Sequence, residues 1–227
     1  IQGLERFAAG GGDVSKVASV ASFFVSRIDT LVDSVLERQA AQEEDPVRKV
    51  RMLSLVGKVA IANARIAYAA FQRLFHNPAF LALRARGARP QRLLWASTGT
   101  KNPRYRDTIY IEELIGPETV NTIPAATWNA FRDHGKLRPS LTEGLDEAQE
   151  VMETLQEVGI DFKVHADRVR ITVHDGARGV GDPRADDGAP DPQAARVLDV
   201  HARREAELHR HRGGAALGDE HAAAAQP

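Results

Sequence analysis

The sequence predicts an α/β fold built from consecutive parallel βα units, and three observations carry that expectation. Apolar runs of strand length stand at "KVASVASFF" (16–24), "RLLWAS" (92–97) and "TVNTIP" (119–124). Between and after them, apolar residues recur at helical spacing. That alternation is the pattern of a parallel sheet covered by helices. Three units are too few to close a barrel, which needs about eight, so the pattern alone leaves either an open sheet or an incomplete barrel.

The elements follow in order. "IQGLERFAAGGGD" opens as a helix that runs into a glycine stop at Gly10, Gly11 and Gly12. Ile1 is not a methionine and falls inside that helix-like segment, so the chain is expected to be a fragment of a longer one. "KVASVASFF" has the unbroken small and β-branched character of a strand buried on both faces. Ser26, Arg27 and Asp29 then stand where that strand runs out, in place of the usual Gly, Asn or Pro. From Ile28 the period changes to helical, through Leu31, Val32, Val35 and Leu36, with Asp29 and Asp33 near the positive end of the helix dipole. "QAAQEEDPVRK" is expected to end this helix, with Pro46 as the break. "LVGKVAIANARIAYAAFQRLF" is an alanine-rich second helix, and Pro78 introduces a short helical piece that leads to Gly87 and Pro90. After "RLLWAS" and the polar "STGTKNP", the segment "DTIYIEELIG" reads as partly extended. "AATWNAFRDHG" is a helix with Gly135 at its C-cap. "TEGLDEAQEVMETLQEVGI" is amphipathic, with Leu145, Ala148, Val151, Met152, Leu155 and Val158 on one side.

At 227 residues and 43% hydrophobic content the chain can bury a sizeable core. Its apolar runs are broken, as by Asn63 and Arg65, well short of the roughly 20 residues of a membrane span. No secretory signal stands at the start, so no membrane partner is expected. A formal net charge of -1 gives no global attraction to nucleic acid. The absence of cysteine excludes disulfides, thiolate metal sites and thiol nucleophiles, and suits a cytoplasmic protein.

After Phe162 and Lys163 the composition changes. The rest of the chain has no aromatic residue, serine, asparagine or lysine, and is crowded with arginine, alanine, glycine, aspartate and histidine. Such a segment buries too little apolar area to offset its ordering entropy. The sequence therefore divides into a folded unit at 1–162 and a low-complexity tail at 163–227, expected to be disordered or to be an out-of-frame translation of GC-rich DNA. Within the tail only "PQAARVLDVHARREAELHRH" has helical potential, and the histidines of "HRHR" read as solvated more simply than as metal ligands.

In parallel α/β folds chemistry gathers beyond the carboxyl ends of the strands. The first end offers Ser22, Phe24 and Arg27, the second Ser97, Thr98, Thr100 and Lys101, the third Asn121 and Thr122. Hydroxyls with one arginine and one lysine suit a phosphate monoester, since the planar guanidinium grips two oxygens and the ammonium adds a point charge. An ion pair of Arg27 with Asp29 or Asp33 is the competing expectation. His76 and His134 stand at helix ends, and Asp107, Glu112, Glu113 and Glu118 are expected to form a solvated acidic face.

The phrases "SVASFFVSRIDTLVD", "GKVAIANARIAYAAF", "RPQRLLWASTGTKNPRYRDTIYIEELIGPETVNTIP" and "FRDHG" together resemble the C-terminal half of a bacterial transaldolase of the longer type, almost continuously from Ile1 to about Phe162. The resemblance implies the C-terminal part of a TIM (β/α)8 barrel, strands six to eight with their helices. It also implies transfer of a dihydroxyacetone unit between sugar phosphates in the pentose phosphate pathway, without any cofactor, from sedoheptulose 7-phosphate to glyceraldehyde 3-phosphate. It admits a homodimer for the longer protein. It places Ser22 on substrate hydroxyls or phosphate, Phe24 on the pocket wall, and Arg27, Ser97 and Lys101 on the phosphate.

In that family a lysine on the fourth strand forms a Schiff base, and carboxylates on the first and third strands relay protons. All three precede Ile1, so this chain is expected to keep the phosphate side of the site and to be inactive alone. The family also ends in a last amphipathic helix, which the polar tail replaces here. Two alternatives stand beside this: a noncatalytic sugar-phosphate-binding or partner-binding half barrel, and a separate aldolase that uses Lys101.

Overall fold

Three strands run parallel and side by side: β1 (Ser19–Phe24), β2 (Arg92–Ala96) and β3 (Thr119–Ile123). They belong to a computed structural model that describes residues 1–162 and the backbone of 173–175 and 196–198. Val20 stands opposite Arg92 and Phe24 opposite Ala96, while Leu93 pairs with Thr119 and Trp95 with Asn121. Side chains alternate along a strand, so Ala21, Phe23, Leu93 and Trp95 share one face and Ser22, Phe24, Leu94 and Ala96 share the other.

The first of these faces carries the core. Eight helices are described: α1 (Gln2–Ala9), α2 (Val25–Gln42), α3 (Pro46–Ser54), α4 (Val59–Phe75), α5 (Pro78–Ala85), α6 (Ile109–Glu112), α7 (Ala125–His134) and α8 (Leu145–Glu157). Val32 and Leu36 of α2, Val59 and Tyr68 of α4, and Leu155 of α8 join Leu93 and Trp95 in one buried cluster. Each such side chain contributes about 1.5–3 kcal/mol by leaving water. The Phe23 ring meets Trp95 edge-on at 5.5 Å. A second cluster of Ala8, Val14, Phe80, Leu83 and Ala88 packs α1 against α5.

Three boundaries differ from expectation. β1 stops at Phe24 and α2 begins at Val25, not Ile28, so Arg27 lies in the first turn of a helix and not on a last strand rung. The ladder ends there because the backbone turns helical at Val25, although the Ser26 N–H still reaches the Ser97 carbonyl across the strand ends. Pro46 begins a helix and does not merely end one. Asp45 caps α3 by accepting from the Val47 N–H at 3.0 Å, and proline at the first helical position loses no bond. The segment 107–116 is not extended: the Thr108 carbonyl accepts from Ile111 and Glu112, closing a helical turn that buries Tyr110 and Ile111.

Two further strands flank the sheet in the order β4-β1-β2-β3-β5. β4 (Val173–Asp175) lies antiparallel to β1, and β5 (Arg196–Leu198) antiparallel to β3. The sequence expects no strand in either place, and 196–198 falls within the stretch of helical potential. The outer edges of β1 and β3 present backbone groups that an extended segment can satisfy. The rest of 163–227, with its expected disorder and its histidine cluster, lies outside the described residues. Among the described residues no helix is long and apolar enough to cross a membrane.

Candidate functional site

β1 and β2 are parallel and in register, so their carboxyl ends open on one rim. There the chain past β2 turns sharply: Ser97 has a φ of 56°, in the left-handed region. Across from it the Ser26 N–H donates to the Ser97 carbonyl at 3.1 Å, and the two hydroxyls lie 2.9 Å apart. Arg27 follows, exposed, with its guanidinium carbon 4.6 Å from the centre of the Phe24 ring. The first turn of α2 holds no acidic residue. Among the described residues Arg27 makes no ion pair, so the expected competitor, a bond to Asp29 or Asp33, is not formed. A cation at a helix N-terminus opposes the dipole by about 0.3–1 kcal/mol. An anion bound beside it reverses that sign. Ser22 shares the face of Phe24 but is only 3% exposed.

The segment after Ser97 is pinned along its length. The buried Thr98 hydroxyl donates to the Thr122 carbonyl at 2.9 Å. Thr100 reaches the carbonyls of Arg106 and Asp107 at 3.1 and 3.2 Å. Arg104 pairs with Glu37, and the Tyr105 hydroxyl donates to Asp33 at 2.6 Å. Lys101 stands exposed within this fixed segment and makes no ion pair among the described residues. Of the expected donors, Thr98 and Thr100 are thus engaged by the backbone. Thr122 donates to the Trp95 carbonyl at 3.2 Å, and Asn121, on the Trp95 face, donates to the Tyr110 carbonyl at 3.3 Å. A cavity of about 260 Å³ beside the rim is lined by Lys101 together with Ser26, Asp29, Asp33, Glu37 and Tyr105. Arg27 and Ser97 do not line it. The two cations therefore share one end of the sheet, but only Lys101 borders this cavity.

The sequence gives Asp29 and Asp33 only the helix dipole and a pairing with Arg27, and the structure puts them to another use. Asp29 is 1% exposed and accepts from the Tyr110 hydroxyl at 2.7 Å and the Ala60 N–H at 2.9 Å. Burial raises its pKa to about 6, against the pull of those two donors. Asp33 accepts from Tyr105 and from the Gly57 N–H at 2.9 Å, and burial raises its pKa too. Together they tie α2 to the start of α4 and to the segment that presents Lys101. The available signal is their position: 29 and 33 lie one helical turn apart, adjoining the apolar stripe of Ile28, Val32 and Leu36.

Of the acidic stretch Asp107 is exposed as expected, but Glu112, Glu113 and Glu118 do not form a solvated face. Glu112 is 3% exposed; burial pushes its carboxyl up, but the Lys136 N–H, the Thr108 hydroxyl and the Arg106 guanidinium outweigh this and hold it below its ordinary value. Glu113 accepts from Arg65, Arg106 and Arg138. Glu118 pairs with His76 at 3.0 Å and Arg84 at 3.3 Å. His134 lies between Asp107 and Asp133 at a helix end, and the bonds to those carboxylates raise its pKa. Neither histidine reaches the rim set of Arg27, Ser97 and Ser26.

Comparison with known proteins adds to this geometry. The protein-family model for Transaldolase/Fructose-6-phosphate aldolase matches residues 2–171, past the change in composition after Phe162. The chain is 47% identical over 170 residues to a transaldolase of Thiobacillus denitrificans, covering 75% of this chain and 45% of that protein. It is 45% identical over 164 residues to a transaldolase of Trichodesmium erythraeum, covering 72% and 43%. It is 48% identical over 164 residues to a transaldolase of Mycobacterium marinum, covering 71% and 42%. The chain thus spans less than half the length of the curated relatives it matches.

Proposed function

Since the chain belongs to the transaldolase/fructose-6-phosphate aldolase family, we propose that it supplies the phosphate-binding rim of a transaldolase-type (β/α)8 barrel. Its three parallel strands serve as strands six to eight of that barrel. The reaction so served moves a dihydroxyacetone unit between sugar phosphates. One observation supports this above the rest: Arg27 stands in the first turn of α2 with no carboxylate partner among the described residues, beside the Ser26–Ser97 clasp. A guanidinium placed against the positive end of a helix is stabilised when a phosphate dianion occupies the same rim. Arg27 grips two phosphate oxygens, Ser97 donates its hydroxyl, Phe24 walls the guanidinium, and Lys101 adds a second positive charge from its fixed segment.

Covalent catalysis on this chain alone would need an amine nucleophile. Lys101 is exposed and lacks the desolvation by which lysine nucleophiles are activated. The carboxylates that line the cavity with it, Asp29, Asp33 and Glu37, are already engaged by Tyr110, Ala60, Tyr105, Gly57 and Arg104. The chain is accordingly a phosphate-ester binder without Schiff-base chemistry of its own.

The test is a titration of the purified chain with fructose 6-phosphate, followed by borohydride reduction and mass spectrometry. The expected result is binding without a reduced adduct, and a loss of roughly tenfold or more in affinity for Arg27→Ala, as for removal of a charge-assisted hydrogen bond. A stable adduct on Lys101 would establish the separate aldolase instead. Equal affinity of the wild type and Arg27→Ala would remove Arg27 from the site.

A further inference from the structure

Ser26 is 1% exposed, so its hydroxyl offers a ligand almost no surface even though the residue lines the cavity beside Lys101. Yet that hydroxyl lies 2.9 Å from the hydroxyl of Ser97, on the neighbouring strand end. Ser97 is one of two residues other than glycine that have positive φ among the described residues. Such a conformation persists only where the surroundings hold it. Here they do so on both sides: the Ser26 N–H holds the Ser97 carbonyl at 3.1 Å, and the next residue, Thr98, is anchored on the Thr122 carbonyl. The Ser26 carbonyl is in turn engaged by the Thr30 hydroxyl at 2.7 Å, which fixes Ser26 itself.

We infer that Ser26 is a positioning residue of the anion site, which acts through Ser97 by setting the direction in which the Ser97 hydroxyl donates. The inference rests on the phosphate reading of the rim given above. Each serine hydroxyl has one proton and two lone pairs. When Ser26 donates to Ser97 Oγ, the proton of Ser97 is left to point outward to a phosphate oxygen. In the reverse direction Ser97 donates inward and meets the phosphate with lone pairs alone, which repel it. A bound anion therefore selects the order Ser26 to Ser97 to phosphate, and each bond in such a chain polarises the next. Arg27 leaves the backbone one residue later, so the clasp also sets the separation between guanidinium and hydroxyl.

The experiment is calorimetric titration of the full chain with inorganic phosphate, with a melting curve taken for each variant. The variants are Ser26→Ala, Ser26→Cys, Ser97→Ala, the Ser26→Ala/Ser97→Ala double variant and Arg27→Ala. Ser26→Ala is expected to bind phosphate about fivefold more weakly, as for loss of one hydrogen bond. Ser26→Cys fills the same volume with a poor donor and is expected to weaken binding in the same direction. Adding Ser26→Ala to Ser97→Ala is expected to cost nothing further, because the partner through which Ser26 acts is gone. Wild-type affinity in Ser26→Cys would show that packing, and not donation, matters, and would overturn the inference. So would a Ser26→Ala effect that adds in full to that of Ser97→Ala. If Arg27→Ala binds as the wild type does, the rim is not the phosphate site and the underlying reading itself falls, a result distinct from either of these.

Discussion

The hydroxyl of Tyr110 donates to Asp29 across 2.7 Å, and the same carboxylate accepts the Ala60 N–H at 2.9 Å, in a place only 1% exposed. A side chain of the first βα unit is thereby bound to the start of α4 and to α6.

Because burial raises the Asp29 pKa from 3.8 to about 6, the folded state holds this proton more tightly than the unfolded chain does. Its contribution therefore favours folding at low pH and is lost as pH rises through the interval up to about 6, amounting to about 3 kcal/mol at full ionisation. Asp33, also raised, adds with the same sign, whereas Glu112, which is lowered, favours folding above its ordinary pKa and opposes them. Asp29→Asn cannot ionise and keeps an acceptor for Ala60. Urea unfolding between pH 4 and 7 is expected to show a shallower fall of stability with rising pH in Asp29→Asn than in the wild type. Parallel curves for the two proteins would refute the assignment.

Gly57 has a φ of 78°, and a Cβ there would come within 2.8 Å of the Tyr105 ring. Its N–H serves Asp33, which in turn holds the Tyr105 hydroxyl. Gly57→Ala thus combines left-handed strain with a clash against a ring anchored at its far end. The expected loss is about 2 kcal/mol, read as a lower urea midpoint. A midpoint within error of the wild type would show that Tyr105 moves aside freely.

The three parallel strands were legible because apolar runs such as "RLLWA" have strand length and little polar interruption. The helical stripes of α4 and α8 were legible for the same kind of reason. Boundaries were harder. Arg27 reads as a strand end because nothing in "FFVSRI" marks a helix start: Phe24 stands at the N-cap and no side chain caps the turn. The Ser26 to Ser97 contact across the strand ends joins residues 71 apart in the chain, and local pattern carries no trace of it. Glu112 and Glu113 look solvated by composition, but Glu113 is held by Arg65 and Arg138 from distant elements, and Glu112 by the Lys136 N–H. Of the rim residues, Arg27 and Lys101 were foreseeable by charge. Ser26 was not, because a buried serine beside a strand end is indistinguishable in sequence from a filler.

Arg27 sets stability against binding. Its charge opposes the dipole of α2, and among the described residues its guanidinium packs on the Phe24 ring without an ion pair. Arg27→Glu places a carboxylate in the first turn, where the dipole favours it. The expected outcome is a gain of about 0.5–1 kcal/mol in unfolding free energy together with loss of measurable phosphate binding. A variant destabilised by more than about 1 kcal/mol would mean that Arg27 is a structural residue.

Glu113 receives three guanidiniums: Arg65 from α4 at 2.8 Å, Arg106 from the pinned segment at 3.1 Å, and Arg138 from the loop before α8. The Glu113 and Arg65 side chains are 14% and 17% exposed, and Arg65 Nε is buried without a hydrogen bond among the described residues. Removing the carboxylate charge would strand Arg65, and breaking a buried pair costs about 3–5 kcal/mol. Arg106 and Arg138 are more exposed and keep Glu112 and Glu143 as partners, which reduces the loss. For Glu113→Gln the expected destabilisation is about 2 kcal/mol. Glu157→Gln, which breaks a pair with Arg51 more than half exposed on both sides, is expected to cost under about 0.5 kcal/mol. The effect also reaches the rim. Thr100 is bonded to the Arg106 carbonyl, so losing one of the two carboxylates that hold Arg106 loosens the segment that holds Lys101 in place. Phosphate affinity in Glu113→Gln is thus expected to fall about twofold, a loss of Lys101 ordering and not of charge. Equal stability of Glu113→Gln and Glu157→Gln would show that the three-arginine junction is no stronger than a surface pair.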